Sequence, residues 1–454
     1  MKNKDIDMTT GPIVGPLVSF IVPLICSSIF QQLYNTVDFL FVGNFLNRTA
    51  AAAVGASATL IFCIIGFSSG VSVGTGIVVS HAVGARDIER GEKALHSSVT
   101  FALLAGFTLL IFGFIFAPWL LKQLRTPESV QPQAVVYIRI YLLSVPMVIF
   151  YNMVSGSLRA CGDSRSPFVV MAICGLLNVL LDALFIVWIP LGVAGVAIAT
   201  TITQTLSAAL VAYMASRRSN TLRLSVKKLG IDFGVLGTVL RFGLPAGVQT
   251  VVVTLSNVAV QYYINDFGET AVAAFATYYK VENFIYLPII AFGQAATTFA
   301  GQNTGAGYWR RILRGTVLTS LIGAVTIGCL AVIFLSFPRT IFGWFMKDGE
   351  VVENALRIAL ISFPLYWIYP ILEVTGGALR GMGRAFCSMA VVIVNQCVLR
   401  VLLLAIFSAV FHTIESLAAV YPITWASAAL CFTLFFAADI RKKLCAPAVR
   451  KNQQ

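Results

Sequence analysis

Apolar runs of roughly 20 to 30 residues recur from one end of this chain to the other, and each is long enough to cross the roughly 30 Å hydrocarbon layer of a bilayer. Twelve can be drawn, at 13–45, 55–80, 98–121, 134–157, 166–189, 193–215, 234–262, 271–302, 312–337, 355–378, 386–410 and 417–438. Lipid offers no partner to a bare N–H or C=O, and the runs are too long for barrel strands, so each is predicted to be a helix. Of the 454 residues, 58% are hydrophobic and 11% charged, against about one quarter charged in a soluble domain. Two soluble domains, the ordinary reading of this length, are excluded.

The net charge of +13 raises the question of a nucleic-acid partner, and the placement of the basic residues answers it. They alternate with the spans. With the N-terminus inside, the cytoplasmic segments hold Lys2, Lys4, Arg86, Arg90, Lys93, Arg159, Arg165, Arg217, Arg218, Arg310, Arg311, Arg314, Arg380, Arg384, Arg441, Lys442, Lys443, Arg450 and Lys451, among others, whereas the opposite loops hold only Arg48, Lys122, Arg125, Arg339 and Lys347. Such asymmetry is a topology signal and predicts that both termini face the cytoplasm of a cell whose plasma (inner) membrane the chain crosses many times. No nucleic acid is expected. The polar leader "MKNKDIDMTT" runs into a span longer than a signal-peptide core, so no cleavage is expected. The nine cysteines are scattered, without a CxxC pair, and read as small packing residues.

The chain is also written twice. "GPLVSFIVPLICSSIFQQLYNTVDFLFVGNFLNRTAAAAVG" aligns without a gap to "GTVLRFGLPAGVQTVVVTLSNVAVQYYINDFGETAVAAFAT" 222 residues later, pairing Phe20 with Phe242 and Pro23 with Pro245. Further on, Pro146 pairs with Pro364 and Arg159 with Arg380. Six spans per half is an even number, so both halves enter the membrane from the same side, related by an axis along the membrane normal. The expected fold is an all-α membrane protein of two six-helix bundles, 1–216 and 231–440, joined by a cytoplasmic linker at 217–230 and followed by a tail at 441–454. Repeats of this kind are common in transporters, with a central site in the cleft between the bundles.

Polar groups inside the spans mark candidate sites. Gln31, Tyr34, Asn35 and Asp38 fall at i, i+3, i+4 and i+7, one face of the first helix. A carboxylate near the bilayer centre costs about 2.5–3.5 kcal/mol on insertion scales, so it faces a bundle interior or a wet cavity. In the fifth span Asn178 and Asp182 are four apart and share a face, while Asn152 and Thr200 add oxygen-bearing side chains at membrane depth. Two acids in one low-dielectric pocket are costly to keep ionised together, so the cluster suits a proton or a small oxygen-seeking cation such as Na⁺ at Asp38, Asp182 and Asn178. Gln31, Tyr34 and Asn35 are candidates to line a path for cargo.

The second half has no acid in the position matching Asp38, which is Val260. It carries Lys280 and Glu282 in "TYYKVENF" and Glu373 in "YPILEVTGG", beside Tyr278, Tyr279, Tyr366, Trp367 and Tyr369, with Arg400 further on. Tyr278, Glu282, Tyr366 and Glu373 facing a cleft would suit an organic cation through charge and cation–π contact. Equally, Lys280 and Glu282 could pair locally and the aromatics form an interfacial belt. "GFSSG" at 66–70 matches a hydrolase elbow but lacks its strand–turn–helix setting, and reads as close helix packing, with Gly74 and Gly76. No nucleotide-binding loop is present, so ATP is not an expected driver. The three histidines are dispersed, and no nucleophile–base pair points to an enzyme.

Taken together, "VPLICSSIFQQLYNTVDFLFVG", "GFSSGVSVGTGIVVSHAVGARD", "GSLRACGDSRSPF", "LLNVLLDALFI", "GVAGVAIATTITQ", "AVAAFATYYKVENF", "FAGQNTGAG" and "GGALRGMGRAF" resemble the multidrug and toxic compound extrusion (MATE) transporters, of the bacterial DinF-like and MepA-like kind, over essentially the whole chain. The resemblance implies secondary antiport, with H⁺ or Na⁺ moving inward and amphipathic, usually cationic, organic compounds moving out by alternating access of a monomer, with no cofactor beyond the coupling ion. By position it implies that Asp38 is the essential acid of the first helix, Asn178 and Asp182 its partners, Thr200 and Asn152 further members of the cation site, and Pro23 a bend point. "SLRACG" departs from the Gly that more often follows the Arg. A lipid-linked oligosaccharide flippase of the same superfamily is the alternative, with Arg400 as the residue that favours it.

Overall fold

The computed structural model describes residues 5–218 and 222–445. Lys2, Lys4, Arg450, Lys451, the end of the predicted tail and residues 219–221 of the 217–230 linker lie outside them. The first half forms α1 (Val14–Phe45), α2 (Arg48–Ala85), α3 (Ile88–Gln123), α4 (Gln131–Leu142), α5 (Val145–Ala160), α6 (Arg165–Asp182), a π-helical stretch (Ala183–Trp188) and α7 (Val193–Ser216). The second half forms α8 (Phe233–Asn265), α9 (Glu269–Ala306), α10 (Trp309–Ser336), the short α11 (Pro338–Gly343), α12 (Gly349–Ser362), α13 (Ile368–Gly381), α14 (Ala385–Val392), a second π-helical stretch (Ile393–Leu399), α15 (Arg400–Phe411) and α16 (Ile414–Cys445).

Among the described residues, ten helices, counting those continued through a π-helical stretch as one, are long and apolar enough to cross a membrane, and two bent pairs, each taken as one span, bring the total to twelve. The spans expected unbroken at 134–157 and 355–378 are these pairs, bent by 44° between α4 and α5 and by 54° between α12 and α13. Pro146 and Pro364, which match in the repeat, sit at the two breaks. Each lacks the N–H that would continue the preceding helix. The starts of α2 and α3 are fixed by polar caps, where the Asn47 side chain accepts from the Ala50 N–H at 2.8 Å and Asp87 from that of Arg90 at 3.0 Å. Leu104, Phe107, Ile111 and Ile115 are exposed at helical spacing along α3, an apolar stripe that lipid, not water, accommodates.

Among the described residues, 5–7 and 18–251 pack as one unit and 8–17 with 252–445 as another. This differs from the division at the linker: the boundary falls inside α8. Small residues explain it, because Gly70 and Gly74 of α2 lie directly on the backbone of Gly247 and Gly243 in the first half of α8, and Gly66 lies 2.8 Å, at its Cβ position, from the Thr250 methyl. The predicted close-packing role of the glycine-rich second span is thus realised, through α8.

In the second unit α13 packs along α9, with α10 and α12 flanking α9 and α16 against α13. Around them lies an aromatic core of Phe275, Tyr278, Phe342, Phe363 and Trp425. Gly377 of α13 abuts the Gly293 carbonyl and brings its Cβ position within 3.1 Å of Thr297 Oγ1, while Gly381 is as tightly set, 2.9 Å from the Ala300 methyl. Gly377→Leu is therefore expected to separate α9 from α13 and destabilise the fold by at least the roughly 1–3 kcal/mol of an overpacked core. Thermal unfolding of the purified protein in detergent checks this; an unchanged midpoint would show that the helices do not depend on this contact.

Candidate functional site

The site in the first unit begins with helix periodicity. On α1, Tyr34 and Asp38 are partly buried while Gln31 and Asn35, on the same broad face, remain exposed. Tyr34 lies over Gly175 of α6, its Cδ1 3.1 Å from where a Cβ would stand, so a larger residue there would push α1 outward. One turn further along α6, Asn178 directs its amide Nδ2 at Asp38, donating to Oδ1 at 3.0 Å and Oδ2 at 3.2 Å in the orientation that satisfies both groups. After another turn comes Asp182, fully buried, where α-helix gives way to the π-helical stretch Ala183–Trp188. Such π-bulges occur frequently at functional positions.

The Asp182 carboxyl lies against that of Asp38. Neither of its oxygens finds a hydrogen-bond donor among the described residues. Two carboxylates are acceptors only, so they hydrogen-bond to each other only when one carries a proton, or are bridged when a cation lies between them. No Lys or Arg forms an ion pair with either acid among the described residues, where the ion pairs lie elsewhere. Two like charges about 4 Å apart repel by roughly 4 kcal/mol at an effective dielectric of about 20. Such a pair has a standing demand for a mobile positive charge. Among the described residues no group of three or more His, Cys, Asp or Glu side chains is placed to hold a metal ion.

Two residues singled out in the sequence make their hydrogen bonds to groups other than this pair. The Thr200 hydroxyl donates to the Val196 carbonyl of its own helix at 3.0 Å, and Asn152 donates to Ser68 Oγ at 3.3 Å. A residue that sequence reasoning missed is Tyr137 of α4, which is buried in the same unit. Its ring is followed one turn later by Tyr141, 6.4 Å between centroids. The pattern "YIRIY" put both on one helix face and was the available signal. Two turns beyond Asp38, a cavity of about 610 Å³ opens between Phe45, Asn47, Gln133 and Gly192. Pro23 lies inside α1, which runs through it as a single helix.

The second unit requires corrections. Tyr278 and Tyr366, expected to meet cargo, are fully buried. They belong to the core: Tyr278 donates to Ser362 Oγ at 2.9 Å, and Tyr366 packs its ring 4.6 Å from that of Trp425. Tyr366 also donates to Glu282 Oε1 at 2.5 Å. Lys280 is exposed and forms no pair with Glu282, because the two side chains, two positions apart, leave a helix on different faces. Glu373 is taken by Arg380 at 2.6 Å, which leaves it poorly placed to attract an organic cation.

Comparison with known proteins follows the repeat. The MatE family model matches residues 23–184 and again 245–406, two copies displaced by the 222 residues of the internal alignment. The probable multidrug resistance protein YoeA of Bacillus subtilis is 29% identical over 80% of this chain and 80% of its own. The probable multidrug resistance protein YpnP of the same organism is 29% identical over 89% of this chain and 91% of its own. A solved structure of a multidrug resistance MATE family transporter of the MOP superfamily, in an outward-facing conformation, superposes with a TM-score of 0.92 at 21% identity, covering 98% of this chain and 99% of that one. At that identity the likeness concerns the fold.

Proposed function

Because this chain belongs to the MatE family of multi-pass membrane transporters, we propose that it is a secondary antiporter that exports amphipathic organic cations in exchange for H⁺ or Na⁺. The observation that carries the reading is the Asp38–Asp182 pair, partly buried at Asp38 and fully buried at Asp182, with Asn178 as its donor and no Lys or Arg in an ion pair with either acid among the described residues. A tenfold ion gradient supplies about 1.4 kcal/mol per ion, and the repulsion that a bound cation relieves is several times larger. Occupancy of the pair is therefore strong enough to favour one conformation over another. Coupling requires only that ion and cargo prefer different states.

The relatives named for multidrug resistance support a broad cargo range, and the cytoplasmic basic excess supports a plasma-membrane protein with both termini inside. The flippase alternative rested on Arg400, which is 5% exposed and so offers no basic surface to a pyrophosphate. A fluorescent organic cation in proteoliposomes, with proton and Na⁺ gradients imposed separately, tests the proposal. Accumulation driven by one gradient and reversed when it is inverted is the expected result; transport indifferent to both overturns it.

A further inference from the structure

Helices α10 and α16 pack together in the second unit, and the outward face of each is apolar. On α10, Val317, Leu321, Val325 and Val332 are exposed at helical spacing. Followed back toward the start of the helix, the same row reaches Arg314 and Arg310, both exposed. On α16 the exposed row Leu430, Leu434 and Ala438 runs on to Arg441, also exposed. Each apolar stripe therefore ends in arginine. The two ends lie side by side, because Lys443 of α16 places its Nζ 5.1 Å from the ring centroid of Trp309, the first residue of α10.

Nothing in either helix balances this charge. Helix α10 contains no acidic residue. Helix α16 contains two: Glu415 at its far end, 3.3 Å from Arg357, and Asp439, held by Arg384 at 2.7 Å. Arg310, Arg314, Arg441, Lys442 and Lys443 form no ion pair among the described residues. Arg311, between the two exposed arginines of α10, is directed elsewhere and donates to the carbonyls of Met8, Thr10 and Gly11. Cations gathered where apolar stripes run out are complementary to a molecule with a negative head and apolar tails. The Trp309 ring sits where an indole is favoured, at the boundary of hydrocarbon and water. A soluble acidic partner would meet the charges alone and leave the stripes unused.

We propose that the start of α10 and the end of α16 form a site for one anionic phospholipid, its phosphate held by Arg310, Arg314, Arg441 and Lys443 and its acyl chains laid along the two stripes. The proposal goes beyond the antiport reading and stands without it. Its test is native mass spectrometry of the purified full chain in neutral detergent, titrated with dioleoylphosphatidylglycerol or dioleoylphosphatidylcholine. The parent should retain one phosphatidylglycerol about tenfold more tightly than phosphatidylcholine. R310Q/R314Q should abolish that preference, and so should R441Q/K443Q on the other helix. R90Q/K227Q, which removes two exposed cations from the first unit, should leave it unchanged. A parent without the preference overturns the proposal, as does a control variant that loses it along with the site variants, since charge anywhere on the surface would then suffice. Displacement of the lipid by an equal concentration of glycerol 3-phosphate, which carries the phosphate without the chains, overturns it too. Should one site variant fail to fold, the other decides, and the competition with glycerol 3-phosphate on the parent needs neither.

Discussion

Asp38→Asn is expected to reduce gradient-driven cargo export to that of protein-free vesicles while leaving a folded protein whose thermal midpoint is no lower than the parent's. The argument is electrostatic. With Asp38 ionised, Asp182 is a buried acid whose oxygens lack donors, facing another acceptor. An amide at position 38 removes the like charge and brings an N–H₂ group within reach of Asp182, so two unfavourable terms vanish at once. What disappears with them is the demand for a cation. A variant with one buried acid and a neutral donor gains far less from a bound positive charge, and the energy that would bias the conformational equilibrium is gone. A purely structural role for Asp38 predicts the opposite pattern, with lowered stability and export falling only in proportion to folded protein. Measuring the midpoint and gradient-driven efflux on the same preparation separates the two. Undiminished driven efflux would remove Asp38 from the mechanism.

The juxtaposition of Asp38, Asn178 and Asp182 was legible in the sequence because a carboxylate in a long apolar run is too costly to be there by default, and the spacing of Asn178 to Asp182 put two polar groups on one face. The spans and the repeat were legible because lipid thickness sets helix length. Other features were not. Thr200 and Asn152 carry the right atoms at the right depth, but a threonine hydroxyl in a helix can be satisfied by its own preceding carbonyl, and sequence gives no means to see that. Tyr137 in an apolar helix has the pattern of an ordinary core aromatic. Whether Pro146 and Pro364 would bend a span or merely sit within one depended on the packing around them; Pro23, Pro118 and Pro288 lie inside continuous helices. Glu282 and Tyr366 are far apart in the chain, and their hydrogen bond exists only once α9 and the break between α12 and α13 share a unit.

Arg218 shows the same limit from the other side, and it carries the second large expected effect. Sequence placed it among the basic residues that mark the cytoplasmic face, where long side chains ordinarily reach water. Instead its side chain is 2% exposed and held between two acids, donating to Asp163 Oδ2 at 3.0 Å and to Asp5. Asp163 in turn accepts from the Ser166 N–H at 3.0 Å and its hydroxyl at 2.7 Å, fixing the start of α6. Burial by itself would weaken the hold of Arg218 on its proton, but Cys161, Asp5 and Asp163 strengthen it by more, so the group's pKa is raised. A raised folded value means that the stabilisation is present throughout the range below the ordinary arginine value and is lost only as pH climbs through the folded one. Neutral and mildly alkaline conditions leave it intact. Arg218→Met removes the cation and strands Asp163 in a site where water cannot repay it, an expected loss of about 3–5 kcal/mol. Asp5, the more exposed partner, can rehydrate, so most of that loss belongs to Asp163. Replacing all three in D5N/D163N/R218M leaves no uncompensated charge, and the amide at 163 can still accept from Ser166. Thermal unfolding should therefore place the single variant well below the parent and the triple variant near it. If the single variant unfolds with the parent, or the triple is as unstable as the single, the buried charges are not what anchors this end of α6.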